Sequence, residues 1–149
     1  MDIRPSIEGI RLAATSDAPR LARRRVAAAC TGLGDELRSV AELLTSELVA
    51  NAVRHPRRDE SDPGAEIEVT VQRWERALRV EVRDHDDRPL PPVVPPATPR
   101  EGGMGLHLVD VLSSAWGSHP APSGGGKVVW FEIHAPEPRT TPRRPGPTR

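Results

Sequence analysis

In the stretch ELLTSELVANAVRH, residues 42 to 55, Glu47 and Asn51 stand four positions apart. On a helix this spacing puts the two polar heads about one turn apart on one face. A carboxylate there can orient a water or a hydroxyl, while the neighbouring amide oxygen suits Mg2+, a hard cation that shares oxygen ligands with phosphates. At about 100° per residue, Val40, Leu43, Leu44 and Leu48 fall within one arc, and Glu47 and Asn51 lie inside it. An unpaired carboxylate is costly to bury. The arc is therefore expected to border a cleft, or else the pair sits at the edge of an ordinary helix interface.

Two further stretches carry candidate chemistry. VEVRDHDDRP ends a strand at Asp84, followed by His85, Asp86 and Asp87. Such a run reads as a solvated acidic turn, as a metal cluster, or as a strand-end carboxylate, Asp84, that accepts a hydrogen bond from an adenine amino group. EGGMGLHLV places Gly102, Gly103 and Gly105 just ahead of an apolar helical pattern. Backbone N–H groups at a helix start, free of side chains, make a phosphate seat. No Lys-Ser/Thr follows these glycines, so this is not a P-loop, and Leu108 stands where a dinucleotide fingerprint needs its third glycine. SGGGK, residues 123 to 127, lies between two strand-like segments and reads as a hairpin turn rather than a phosphate loop.

Elements that would position these residues can be read from the same chain. SIEGIRLAAT (6 to 15) alternates as a strand, and Ser16 or Asp17 then caps a helix with Pro19 in its first turn, running to about Cys30. TGLG stops it. Asp35 opens a second helix that runs to about Val53, ahead of Pro56. AEIEVTVQRW and ALRVEVRD alternate with period two as adjacent antiparallel strands. Six prolines between residues 87 and 100 exclude a helix or a central strand there. LHLVDVLSS is an amphipathic helix, and AWGSHPA and KVVWFEIHA form a closing hairpin. This order predicts an α+β two-layer sandwich, a mostly antiparallel sheet with helices on one face. Residues 135–149, rich in Pro and Arg, have little to bury and are expected to be disordered.

Composition narrows the function. Acidic and basic residues balance at 21 each, so no global field favours nucleic acid or an anionic membrane. No apolar run spans a bilayer, and no signal-peptide pattern opens the chain. One cysteine, Cys30, excludes an internal disulfide and fits a reducing cytoplasm. Arginine outnumbers lysine 20 to 1, a bias of genome composition rather than of chemistry.

Taken together, Glu-x-x-x-Asn on a helix, Asp at a strand end, a proline-rich loop and Gly-x-Gly-Leu opening a helix resemble the asparagine box and the two glycine boxes of the Bergerat (GHKL) ATP-binding fold. LLTSELVANAVRH and GGMGLHLVDVLSSAWG are most similar to the anti-sigma regulatory factors and serine-protein kinases of the RsbW and SpoIIAB type. The resemblance covers roughly residues 10 to 134. It implies ATP and Mg2+ as ligands, Glu47 as the catalytic carboxylate, and Asn51 as the Mg2+ ligand. By the same resemblance Asp84 anchors adenine, Gly103 and Gly105 receive the phosphates, Leu106 belongs to the cofactor site, and residues 87–100 form the ATP lid. His55, at the helix end, reads as structural. The chain departs from the family's Asp-x-Gly-x-Gly box, because Asp86 replaces a glycine that lets the backbone approach the nucleotide.

Among relatives of that fold, a phosphorelay histidine kinase needs an upstream dimerisation helix, and a gyrase-like motor needs a transducer domain. Neither is expected here. Two readings remain: a serine/threonine kinase with anti-sigma activity towards an anti-anti-sigma antagonist, and a nucleotide-dependent module that sequesters a regulatory partner without phosphorylating it. Both imply protein partners, a sigma factor or its antagonist, with no direct nucleic acid or membrane contact, and both allow a homodimer.

Overall fold

The structure of the chain, a computed structural model, describes residues 4–54, 65–86, 90, 104–122 and 124–137. His55, the proline-rich segment apart from Leu90, Gly103 and the residues from 138 onward lie outside these. Five strands and three helices follow the order β1 (Ser6–Ala13), α1 (Ala18–Ala29), α2 (Asp35–Arg54), β2 (Glu66–Arg73), β3 (Ala77–Arg83), α3 (Met104–Leu112), β4 (Ala115–Pro120), β5 (Lys127–His134). The strands form one sheet, β1-β2-β3-β5-β4, and every pairing is antiparallel. The expected α+β architecture is what the chain adopts.

Strand alternation sorts the two faces of this sheet. Ile67, Val69 and Val71 on β2, Leu78, Val80 and Val82 on β3, and Val129, Phe131 and Ile133 on β5 point into one core with all three helices. The other face carries Glu68, Arg79, Glu81, Trp130 and Glu132. Across it, Arg79 bonds both Glu81 and Glu132 at 2.9 Å and lies 3.9 Å from the Trp130 ring centroid. Among the described residues, helices therefore cover one face only.

Helix α1 buries the small stripe Ala18, Ala22 and Val26, which lets it lie close against α2. Asp17 occupies its N-cap position but makes no side-chain cap bond, so the expected cap is positional only. Gly32 and Gly34, at φ +83 and +92, break the chain between the helices. Asp35 and Glu36 then place negative charge at the start of α2, complementing its dipole.

One expectation about α2 is corrected. Its buried face is Leu37, Ala41, Leu44, Thr45, Leu48, Val49 and Ala52. Leu43, counted with the core arc from the sequence, is 40% exposed. The true core stripe is rotated away from Leu43 and runs through Ala41, Thr45 and Ala52, all of them buried. Glu47 and Asn51 consequently sit on the flank of the buried stripe, each half-buried, rather than within it. No burial of an unpaired charge is incurred. Helix α3 also differs slightly from expectation, starting at Met104 and ending at Leu112 rather than spanning 106–114.

Candidate functional site

Helix α2 packs against α3, β3 and β5, so the elements bearing the candidate residues adjoin one another on the covered side of the sheet. Glu47 and Asn51 share no hydrogen bond or ion pair with any other described residue. Both side chains are half-buried on the α2 flank. Thr45 and Ser46 beside them each bury a hydroxyl oxygen that has no partner among the described residues.

Asp84 follows directly on β3, and its main-chain N–H donates to the Lys127 carbonyl at 3.1 Å, continuing the β3–β5 ladder. Its side chain is largely buried. Oδ1 accepts the Asp86 N–H at 2.9 Å and lies 3.4 Å from the Lys127 N–H; Oδ2 is 2.9 Å from Lys127 Nζ. Lys127 Nζ also donates to the Asp86 carbonyl at 3.2 Å, and the Asp86 carboxylate stands 4.0 Å from it. The Asp84–Asp86 bond is the side-chain-to-backbone turn that Asp favours two residues on. Asp86 is thus folded inward, 5% exposed.

The hairpin turn before Lys127 sets this arrangement. Gly124, Gly125 and Gly126 all have positive φ, as a turn between β4 and β5 requires, so the expected hairpin turn holds for the glycines. Gly126 lies against the Asp84–His85 backbone.

Gly105 falls in the first turn of α3, and Leu106 just after it is buried in the core. Leu106 can therefore serve a ligand only through its N–H, one of the groups a helix start leaves without an intrahelical partner. The Trp116 Nε1–H donates to Asp110 Oδ1 at 2.9 Å, tying α3 to β4. The metal-cluster reading of the acidic run gains nothing, since among the described residues no group of three His, Cys, Asp or Glu side chains could hold a metal. A cavity of about 240 Å³ opens on the uncovered face, lined by Arg11, Glu68, Arg83 and His85 among others, and the sheet separates it from the Asp84 carboxylate.

Sequence reasoning passed over Lys127. A signal was present: it is the only lysine in a chain with 20 arginines.

Among the described residues, three helices cover one face of an antiparallel sheet, and a buried carboxylate stands at the end of its central strand. The chain belongs to the histidine kinase-like ATPase domain family, whose family model matches residues 12–133. No curated protein matches the chain. The side chains fit the adenine nucleotide that such a domain implies. Asp84 retains lone pairs beyond those its partners use, and Asn51 presents an amide oxygen with no protein partner among the described residues. Among the described residues no helix is long and apolar enough to cross a membrane.

Proposed function

We propose that the chain binds Mg2+–ATP and acts as an anti-sigma factor with protein serine/threonine kinase activity towards an anti-anti-sigma antagonist. The observation that carries the nucleotide part is Asp84. It is a largely buried carboxylate at the end of β3, on the helix-covered face, in a chain of the histidine kinase-like ATPase family. In this reading Asp84 accepts a hydrogen bond from the adenine amino group, and Asn51 offers its amide oxygen to Mg2+. The backbone N–H groups of Gly103, Gly105 and Leu106 hold the phosphates, as helix-start amides do. Bound Mg2+–ATP supplies the phosphoryl group. Glu47, half-buried and one turn from Asn51, takes the proton of the target hydroxyl. The partners are proteins, a sigma factor or its antagonist, in the cytoplasm, with no direct nucleic acid or membrane contact; a homodimer is compatible.

A second reading is favoured by one specific observation. Asp84 is already paired with Lys127, and Asp86 fills the position of a glycine. A nucleotide seat whose acid is already ion-paired, with a carboxylate where the resemblance expects glycine, suits a nucleotide-dependent module that sequesters its partner without phosphorylating it.

Glu47→Gln separates the two. The change keeps the shape and hydrogen bonding of the side chain and removes the base, so phosphate transfer from labelled ATP to an antagonist should fall by about 10²–10⁴. Nucleotide and partner affinity should stay within a few fold. A folded wild-type protein that binds nucleotide and partner but transfers no phosphate to any antagonist leaves the binding module as the function.

A further inference from the structure

Lys127 is placed as few lysines are. Its side chain is only 13% exposed, and it shares the covered face of β5 with Val129 and Phe131. Lysine is a compact charge with three N–H donors. One reaches Asp84 Oδ2 at 2.9 Å and a second the Asp86 carbonyl at 3.2 Å. The Asp86 carboxylate, at 4.0 Å, is beyond hydrogen-bond range, which leaves the third N–H without a hydrogen-bond acceptor among the described residues. Asp84 Oδ2, with Lys127 on one lone pair, can accept on the other.

The strand-end site therefore offers an acceptor and a donor side by side. A carboxylate alone matches only the amino group of adenine. The ring nitrogen beside that group, N1, is an acceptor and needs a donor, and Lys127 Nζ is the charged donor adjacent to Asp84. We infer that Lys127 is a base-recognising residue that donates to N1 of a 6-aminopurine while Asp84 accepts from its exocyclic amine. This rests on the proposal that Asp84 anchors adenine. It also gives a chemical reason for lysine here, because the planar guanidinium fork of arginine would spread across both oxygens of Asp84 instead of leaving one N–H for the ring.

Two ADP analogues test this by binding calorimetry with Mg2+ present: 1-deaza-ADP, which lacks the N1 acceptor, and 7-deaza-ADP, which keeps it. The wild type should bind 1-deaza-ADP about 10- to 100-fold more weakly than ADP, the worth of one hydrogen bond from a charged donor. Binding of 7-deaza-ADP should stay within a few fold of ADP. In Lys127→Met, ADP should weaken to the level of the 1-deaza analogue and the difference between the two should vanish. If the Met variant does not fold, the wild-type analogue comparison decides alone. Equal wild-type binding of ADP and 1-deaza-ADP overturns the role of Lys127 while leaving Asp84 as anchor. Tighter ADP binding by Lys127→Met, or a 1-deaza penalty that survives in it, also overturns that role. No binding of ADP at all defeats the underlying nucleotide reading instead.

Discussion

Gly126 lies so close to Asp84 that a Cβ on it would collide with the Asp84 carbonyl oxygen and stand 2.9 Å from the carbonyl carbon. Both neighbours are backbone and cannot swing aside, and at φ +136 the residue is in a region L side chains rarely adopt. Gly126→Ala should destabilise the fold by more than the roughly 1–3 kcal/mol of backbone strain alone, and it should displace Asp84. Gly124→Ala, at φ +75 in open space, should show only the strain. Urea unfolding of both variants makes the comparison, and equal losses would remove the close approach as the reason for the third glycine.

The Asp84–Lys127 pair is nearly dry, with side chains 11% and 13% exposed. Removing one partner of a buried pair costs up to about 3–5 kcal/mol, whereas replacing both by neutral groups is often harmless. Lys127→Met and Asp84→Asn should each lower stability, and the double variant should be more stable than the sum of the single losses implies. A double-mutant cycle by denaturant unfolding measures the coupling. Additive losses would mean that the two groups do not depend on each other.

Thr45 is fully buried on α2, and its hydroxyl oxygen has no hydrogen-bond partner among the described residues. An unmade buried hydrogen bond costs about 1–3 kcal/mol. Thr45→Val keeps the branched shape and removes the polar atom, so the unfolding midpoint should rise, with a gain on the order of 1 kcal/mol. A drop in midpoint would show that the hydroxyl has a bound partner, such as an internal water.

Burial pushes the Cys30 thiol up from 9.0 to about 11, with nearby Arg73 opposing the rise. Between those values the folded chain keeps a proton that the unfolded chain has lost, so stability falls as pH rises. The contribution is complete below pH 9 and is lost as pH climbs towards about 11. Cys30→Ala should flatten the alkaline limb of the stability curve. An unchanged limb would assign the loss to other groups. In the native protein the thiol should also resist alkylation at neutral pH, since the thiolate is the reactive form.

Legibility in the sequence followed the range of the interaction. Period-two alternation was enough for β2 and β3, because each buries every second residue on one face. The α2 face was misread because hydropathy ranks Leu43 above Ala41 and Ala52, whereas packing against α1 and the sheet selects the small residues. The ends of α3 shifted by two residues since glycine and Met104 carry no clear start signal. Asp84 was legible as a strand-end acid. Its partner was not, because Lys127 lies 43 residues away and meets it only once β5 pairs with β3. The turn glycines were legible as a turn, but their closeness to Asp84 depends on that same pairing.

The central claim is that Asp84 and Asn51 serve an adenine nucleotide, and calorimetric titration of the folded chain with Mg2+–ATP tests it most directly. The expected result is saturable binding at one site below millimolar concentration. Asp84→Asn should weaken it about tenfold or more, the worth of a hydrogen bond to a charged acceptor, and Asn51→Ala should weaken it in a Mg2+-dependent way. No heat of binding up to millimolar ATP, from protein shown to be folded, would contradict the account. So would wild-type affinity in both variants.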